Sequence, residues 1–206
     1  MSSIRRIVPL AAALIALLVS FCALAQNGSE GQSVSQQASA QLPAGKQTTL
    51  GLYVTARQAY DMWKAAPDKV MIIDVRTPEE FMFVGYPDMA WLIPVATQSY
   101  RWDAEKQQFP MSILPDFVTR VQKVAGPDHT LLVTCRSGGR GAIAVNLLAK
   151  AGFEKVYNIT DGIEGDKVKE PGSIFNGQRL VNGWKNSMLP WTYKVDPDRM
   201  VLPAEP

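Results

Sequence analysis

Histidine and cysteine are both scarce in this chain, which holds a single histidine, His129, and two cysteines, Cys22 and Cys135, among 206 residues. Zinc sites are built from closely spaced Cys and His ligands, and no such cluster is present, so no metal site is expected; no cofactor is expected either. His129 follows Pro127-Asp128 in a turn and reads as a surface residue. Excess charge is missing too: 21 Lys+Arg stand against 19 Asp+Glu. Without a Lys/Arg stripe or a basic aromatic face, nucleic acid is not an expected partner. The five tryptophans, Trp63, Trp91, Trp102, Trp184 and Trp191, are scattered and read as packing residues.

The first cysteine belongs to a segment with its own logic. Arg5 and Arg6 precede an apolar stretch from Ile7 to Leu24, and Ala23-Leu24-Ala25 forms a small-x-small cleavage site before Gln26. This pattern predicts a secretion signal over residues 1–25 and a periplasmic or secreted protein that meets no membrane once the signal is cleaved. Phe21, where a lipoprotein would need a small residue, argues against lipid attachment at Cys22. The competing reading is an uncleaved anchor, since the run is long enough to span a bilayer at about 1.5 Å per residue. Cleavage would remove Cys22 and two arginines, leaving 19 basic residues level with 19 acidic ones. Residues 26–47 are mostly Ser, Gln, Gly and Ala, too poor in large apolar side chains to bury anything, and are expected to form a disordered linker. The folded unit is expected over 48–206, with a C-terminal extension from about residue 166.

Within that unit, continuous apolar runs alternate with helical spacing. Leu52-Tyr53-Val54, Val70 to Val75, Trp91 to Val95, Leu131 to Thr134 and Val156 to Ile159 read as strands. Thr55 caps a helix carrying Ala59, Met62, Trp63 and Ala66. Thr77-Pro78-Glu79-Glu80 opens another, with a cap, a first-position proline and acids in the first turn. Ile113, Phe117, Val118, Val121 and Val124 space as one helix face ending at Gly126-Pro127, and Ala142 to Ala151 forms a last helix stopped by Gly152. Strands apolar throughout, separated by helices, are covered on both faces, which predicts an α/β fold around a mainly parallel sheet. Ligands in such sheets sit beyond the carboxyl ends of the strands, where both Asp74 and Cys135 fall.

The segment Thr134-Cys135-Arg136-Ser137-Gly138-Gly139-Arg140-Gly141 carries the chemistry. A strand delivers the cysteine into a loop whose glycines let backbone N–H groups turn inward, and the following helix aims its positive end at the same point. Two guanidiniums add full charge, an arrangement that stabilises a thiolate, the nucleophilic form. With Cys22 removed, no intramolecular disulfide is available. Cys135 is then either an inert core residue or a reactive thiol at the sheet rim, and the loop favours the second. Peroxidase or thioredoxin-like chemistry would lack a resolving cysteine within the mature chain.

Ile72-Ile73-Asp74-Val75-Arg76-Thr77-Pro78-Glu79-Glu80-Phe81, then Val133 to Arg140, then Gly152-Phe153, Val156-Tyr157 and Asp161-Gly162-Ile163 resemble the successive motifs of a single-domain rhodanese-like sulfurtransferase. The likeness covers about Gly51 to Asp166 and implies a five-stranded parallel sheet with helices on both faces. It implies that Cys135 takes the outer sulfur of a small anionic donor such as thiosulfate as a persulfide, and passes it to cyanide, a thiol or a secreted protein acceptor. The N–H groups of Arg136, Ser137, Gly138, Gly139 and Arg140 would cradle that sulfur, Arg140 and Arg136 would draw in the donor, and Asp74 and Arg76 would brace the loop. Two other functions compete. One is a binding module on the same scaffold, although inactive rhodanese domains commonly lose the cysteine. The other is a cysteine phosphatase or arsenate reductase, whose loops hold one residue more between Cys and Arg than the four here.

The chain departs from the family pattern at Gly85-Tyr86-Pro87-Asp88-Met89-Ala90, where a Gly-His-Ile-Pro-Gly-Ala turn is usual, and at Gly141, which replaces Ser, Thr or Ala and should loosen the helix start. Two excursions, Gln98 to Pro110 and Asp166 to Pro190, are longer than connections need. They are expected to flank the mouth over Cys135 and select the acceptor.

Overall fold

The computed structural model describes residues 42–204. The expected signal over 1–25 and most of the linker over 26–47 lie outside them. The described elements are β1 (Tyr53–Val54), α1 (Ala56–Ala65), β2 (Val70–Asp74), α2 (Pro78–Val84), β3 (Trp91–Leu92), β4 (Ala96–Gln98), β5 (Met111–Ile113), α3 (Phe117–Gln122), β6 (Thr130–Thr134), α4 (Gly139–Lys150) and β7 (Val156–Ile159). Short 3-10 turns stand at Ala44–Lys46 and Pro197–Arg199.

Five strands form one sheet in the order β1-β7-β6-β2-β3, every pair parallel. The continuous apolar runs explain it. Successive residues of a strand point to opposite faces, so a strand covered on both sides is apolar at most positions, its buried polar residues needing partners. Ile73, Leu131 and Val133 face a layer with Phe117, Val121 and Leu148. Their neighbours Ile72 and Leu132 face the other layer, with Ala59 and Trp184. Helices α1 and α2 each open on a reciprocal capping box, Thr55 with Gln58 and Thr77 with Glu80, which satisfies N–H groups at the helix start. The parallel register sets Asp74 beside Thr134, so the ends of β2 and β6 present Asp74 and Cys135 side by side.

Three expectations need correction. Ile113 is not on the α3 face: it pairs with Ala96 in the antiparallel hairpin β4–β5 and is 46% exposed. Pro115 disfavours helical backbone at the residue before it, so the helix starts only after Asp116. Helix α4 begins at Gly139, three residues before Ala142. Residues ahead of Thr48 also pack onto the domain. The Ala44–Lys46 turn is fastened to the domain by the Lys46–Asp166 ion pair at 2.8 Å and by the Asn158 Nδ2–H, which donates to the Lys46 carbonyl.

The segment after residue 166 is integral to the fold. Trp184 is fully buried and meets the Tyr60 ring edge-on. Further along, Thr192 and Tyr86 exchange backbone hydrogen bonds, and the Val201 N–H donates to the Leu92 carbonyl. The chain end thereby covers the β3 edge that would otherwise be open to pairing with another molecule. Arg120, almost fully buried, donates to the carbonyls of Pro94 and Val201 and ties α3 to this belt. No helix among the described residues is long and apolar enough to cross a membrane.

Candidate active site

The loop after β6 is built around one left-handed residue. Gly138 has φ 96° and ψ −21° and serves as the N-cap of α4. A Cβ at this position would stand 2.5 Å from the Thr160 carbonyl oxygen, so only glycine fits both the backbone and the space. Lacking a side chain, Gly138 cannot accept the first-turn N–H groups that a Ser or Asp cap would take. The Cys135 thiol does so instead: the Gly138 N–H points at Sγ at 3.2 Å and the Gly141 N–H at 3.4 Å. The positive end of α4 is thus aimed at the sulfur.

The cradle was expected from the N–H groups of Arg136 through Arg140. Of these only Gly138 donates to Sγ, and Gly141, one residue beyond, supplies the second bond. Gly141 has a positive reason for being glycine, since a Cβ there would lie 2.4 Å from Asn158 Oδ1. Asn158, fully buried on β7, donates through Nδ2 to the carbonyls of Gly138 and Lys46, pinning the loop to the N-terminal turn. The helix start is therefore clamped, where the sequence suggested looseness. On the other side, the N–H groups of Ile163 and Glu164 hold the carbonyls of Cys135 and Arg136.

Cys135 was expected at the open rim, but it is 2% exposed and packs within the core layer of Val75, Val95 and Ala144. The strand end carries the residue inward while the loop folds over it. Arg136, next in the chain, is exposed and Ser137 half-buried.

Arg140 also stands differently from expectation. Its two terminal nitrogens donate in parallel to Glu80, Nη1 to Oε2 at 2.5 Å and Nη2 to Oε1 at 2.6 Å. Burial works against charge on both groups. The bidentate pairing outweighs it, holding Glu80 below and Arg140 above their ordinary values. The cation expected to recruit the donor is therefore neutralised, which leaves Arg136 as the exposed cation of the loop. Glu80 was read from sequence only as a helix-start acid. The capping box that fixes its carboxylate at the Thr77 N–H was the available signal.

Asp74 and Arg76 are wholly buried and doubly paired, with Nε to Oδ1 at 2.9 Å and Nη2 to Oδ2 at 2.6 Å. Arg76 also donates to the Gly85 carbonyl at 2.9 Å, at the end of α2. The pair thus anchors the helix that carries Glu80, and its support of the loop runs through Glu80 and Arg140. Tyr86, in place of the usual histidine, turns to the belt, donating its hydroxyl to the Lys194 carbonyl and accepting from the Asp196 N–H. Of the two excursions, the first brings the Tyr100 hydroxyl within 3.4 Å of Glu79 Oε1, next to Glu80 in the chain. The second forms a groove whose wall includes Ser137. Among the described residues no group of His, Cys, Asp and Glu is gathered for a metal ion.

Comparison with known proteins bears on the family and the fold. The chain is 29% identical over 140 residues to the uncharacterized protein RC0915 of Rickettsia conorii, covering 68% of this chain and 96% of that one. It is 36% identical over 90 residues to the protein named Thiosulfate sulfurtransferase 16, chloroplastic, of Arabidopsis thaliana, covering 44% and 68%. The crystal structure of Rv0390 from M. tuberculosis superimposes with a TM-score of 0.52 at 26% identity, covering 68% of this chain and 96% of that one. The sequence model of the Rhodanese-like domain matches residues 55–168, from the cap of α1 to beyond Asp166, and the chain belongs to that family.

Proposed function

We propose that the protein is a sulfurtransferase working through a persulfide on Cys135, in the exported setting that residues 1–25 point to. The observation that carries this reading is the convergence of the Gly138 and Gly141 N–H groups on Sγ at the head of α4. An inert core cysteine has no need of such donors, whereas a sulfur that gains negative charge does. In the first step the Cys135 thiolate attacks the outer sulfur of thiosulfate. A bond forms between the two sulfurs, and sulfite departs with the electron pair of the broken bond. In the second, an acceptor thiolate or cyanide attacks the outer sulfur and the pair returns to Sγ.

The engagement of Arg140 argues against phosphate chemistry. A phosphatase loop needs the fork of its arginine for the phosphoryl oxygens, and here Glu80 occupies it. The burial of Cys135 favours a competing reading, a binding module in which the thiol is a bystander. Intact-mass measurement separates the two. Protein incubated with thiosulfate should gain the mass of one sulfur atom on Cys135, cyanide should remove it as thiocyanate, and Cys135→Ser should never acquire it. A wild-type protein that gains nothing from thiosulfate or from a low-molecular-weight persulfide would leave the binding module standing.

A further inference from the structure

Beside the loop lies a groove of about 750 Å³ between the N-terminal turn and the excursion after residue 166. Ser137, two residues from the nucleophile, forms part of its wall, together with Lys46, Lys167, Lys169 and Arg179. Lys46 is neutralised by Asp166, and this pairing holds Asp166 below its ordinary value against the effect of burial. Lys167 and Lys169 are exposed, and Arg179 is held in place by donating to the Gly165 carbonyl at 2.5 Å. The four cations face one acid, so the groove is basic in a chain whose acids and bases are otherwise nearly balanced.

Three features make this more than a charged surface. It has room for a ligand larger than thiosulfate or cyanide. It abuts the loop through Ser137 and through Lys46, whose Cδ would lie 3.2 Å from a Cβ on Gly138. Much of its wall also lies outside residues 55–168, the span shared with the family.

We infer that the groove binds the sulfur acceptor, and that this acceptor is a small thiol carrying more than one carboxylate. The inference rests on the sulfurtransferase reading above and names its second substrate. With the carboxylates against Lys167, Lys169 and Arg179, the thiol end crosses Ser137 toward the loop. The outer sulfur of a persulfide extends about 2 Å beyond Sγ, which shortens the path to a sulfur as buried as this one. The acceptor thiolate attacks that outer sulfur, the new S–S bond forms on the acceptor, the bond to Cys135 breaks, and its electron pair returns to Sγ. No other reactant is consumed.

Mercaptosuccinate, a dicarboxylate thiol, and neutral 2-mercaptoethanol are the probes. In calorimetry on Cys135→Ser protein, mercaptosuccinate binds, and the Lys167→Glu/Lys169→Glu double variant weakens binding by about tenfold or more. In single-turnover discharge of the persulfide, the rate ratio of mercaptosuccinate to 2-mercaptoethanol falls by a similar factor in that variant. The ratio also shrinks with added salt, and takes a middle value in Lys167→Gln/Lys169→Gln, which adds no acid to the surface. Equal binding in wild-type and charge-reversed backgrounds overturns the inference, as does weakened binding that leaves the discharge ratio unmoved. A protein that takes up no sulfur yet binds mercaptosuccinate through these lysines sinks the transfer reading and keeps the groove as a site for acidic ligands.

Discussion

Arg140 and Glu80, 60 residues apart in the chain, meet through two parallel hydrogen bonds of 2.5 and 2.6 Å that fasten the sulfur loop to helix α2. Fork-to-fork pairing of this kind fixes orientation as well as distance. Its charge balance makes the loop a pH-dependent element. Glu80 is held below its ordinary value of 4.5 because the ion pair overcomes the burial that acts against it. A carboxylate depressed on folding stabilises the native state fully above its unfolded value, and that contribution disappears as pH falls through the folded one. Glu80→Gln should therefore be less stable than wild type at neutral pH, with the gap closing below about pH 4.5. Denaturant titrations of both proteins across pH 3–7 measure it, and a gap independent of pH would refute the electrostatic account.

The burial of Cys135 predicts size selectivity. With the residue only 2% exposed, a bulky maleimide must wait for local opening, while a slim anion such as thiosulfate needs less room. In a Cys22→Ser background, maleimide labelling of native protein should run about tenfold or more below that of urea-unfolded protein. Loading by thiosulfate should proceed under the same native conditions. Equal labelling rates in the two states would mean the sulfur is open.

The clamp on the helix start is a contact between Gly141 and Asn158. Gly141→Ala sets a methyl 2.4 Å from Asn158 Oδ1, and overpacking of that kind costs about 1–3 kcal/mol. The displaced Gly141 N–H should also lose its aim at Sγ, so sulfur uptake falls along with stability. The double variant Gly141→Ala/Asn158→Ser reopens the space, and the two changes should be less than additive in a double-mutant cycle read by uptake rate and by unfolding. Additive effects would show that the two residues do not act through their contact.

How much of this could be read from sequence follows from what sequence expresses. Strands β2 and β6 were legible because burial on both faces favours nearly continuous apolar runs, and α1 and α2 because their caps are written locally in Thr55 and Thr77. Hairpin β4–β5 was not: Met111, Ser112 and Ile113 are all exposed, so no burial pattern marks a strand, and Ile113 fell by chance at helical spacing from Phe117. The cysteine loop was legible as a local motif. Its partners were not, since Glu80, Asn158 and Lys46 reach it only through the order of the sheet. Whether a strand-end side chain points to solvent or into the core depends on what folds over it, and for Cys135 that depended on contacts far along the chain.

Asp74 and Arg76 form the foundation under α2, and both are fully buried. Arg76→Ala leaves an unpaired carboxylate in the core, a change that costs about 3–5 kcal/mol. Removing Asp74 as well should recover part of this loss, because the stranded charge goes with it. Chemical denaturation of the three variants tests the order, and a double variant as unstable as the sum of its parts would contradict it.

The belt beyond residue 184 should be separable from the chemistry. Tyr86→Phe deletes the bond to the Lys194 carbonyl and the acceptor for the Asp196 N–H. Each such bond is worth about 0.5–1.5 kcal/mol where water can compete. The ring remains stacked on Phe81, with centroids 3.5 Å apart, so the core beneath α2 keeps its packing. Hydrogen exchange and limited proteolysis should quicken over residues 192–201. The rate of sulfur loading should not change, because no contact of the Tyr86 hydroxyl touches the loop, Glu80 or Arg140. Loading that slows in step with belt opening would instead make the chain end part of the working site.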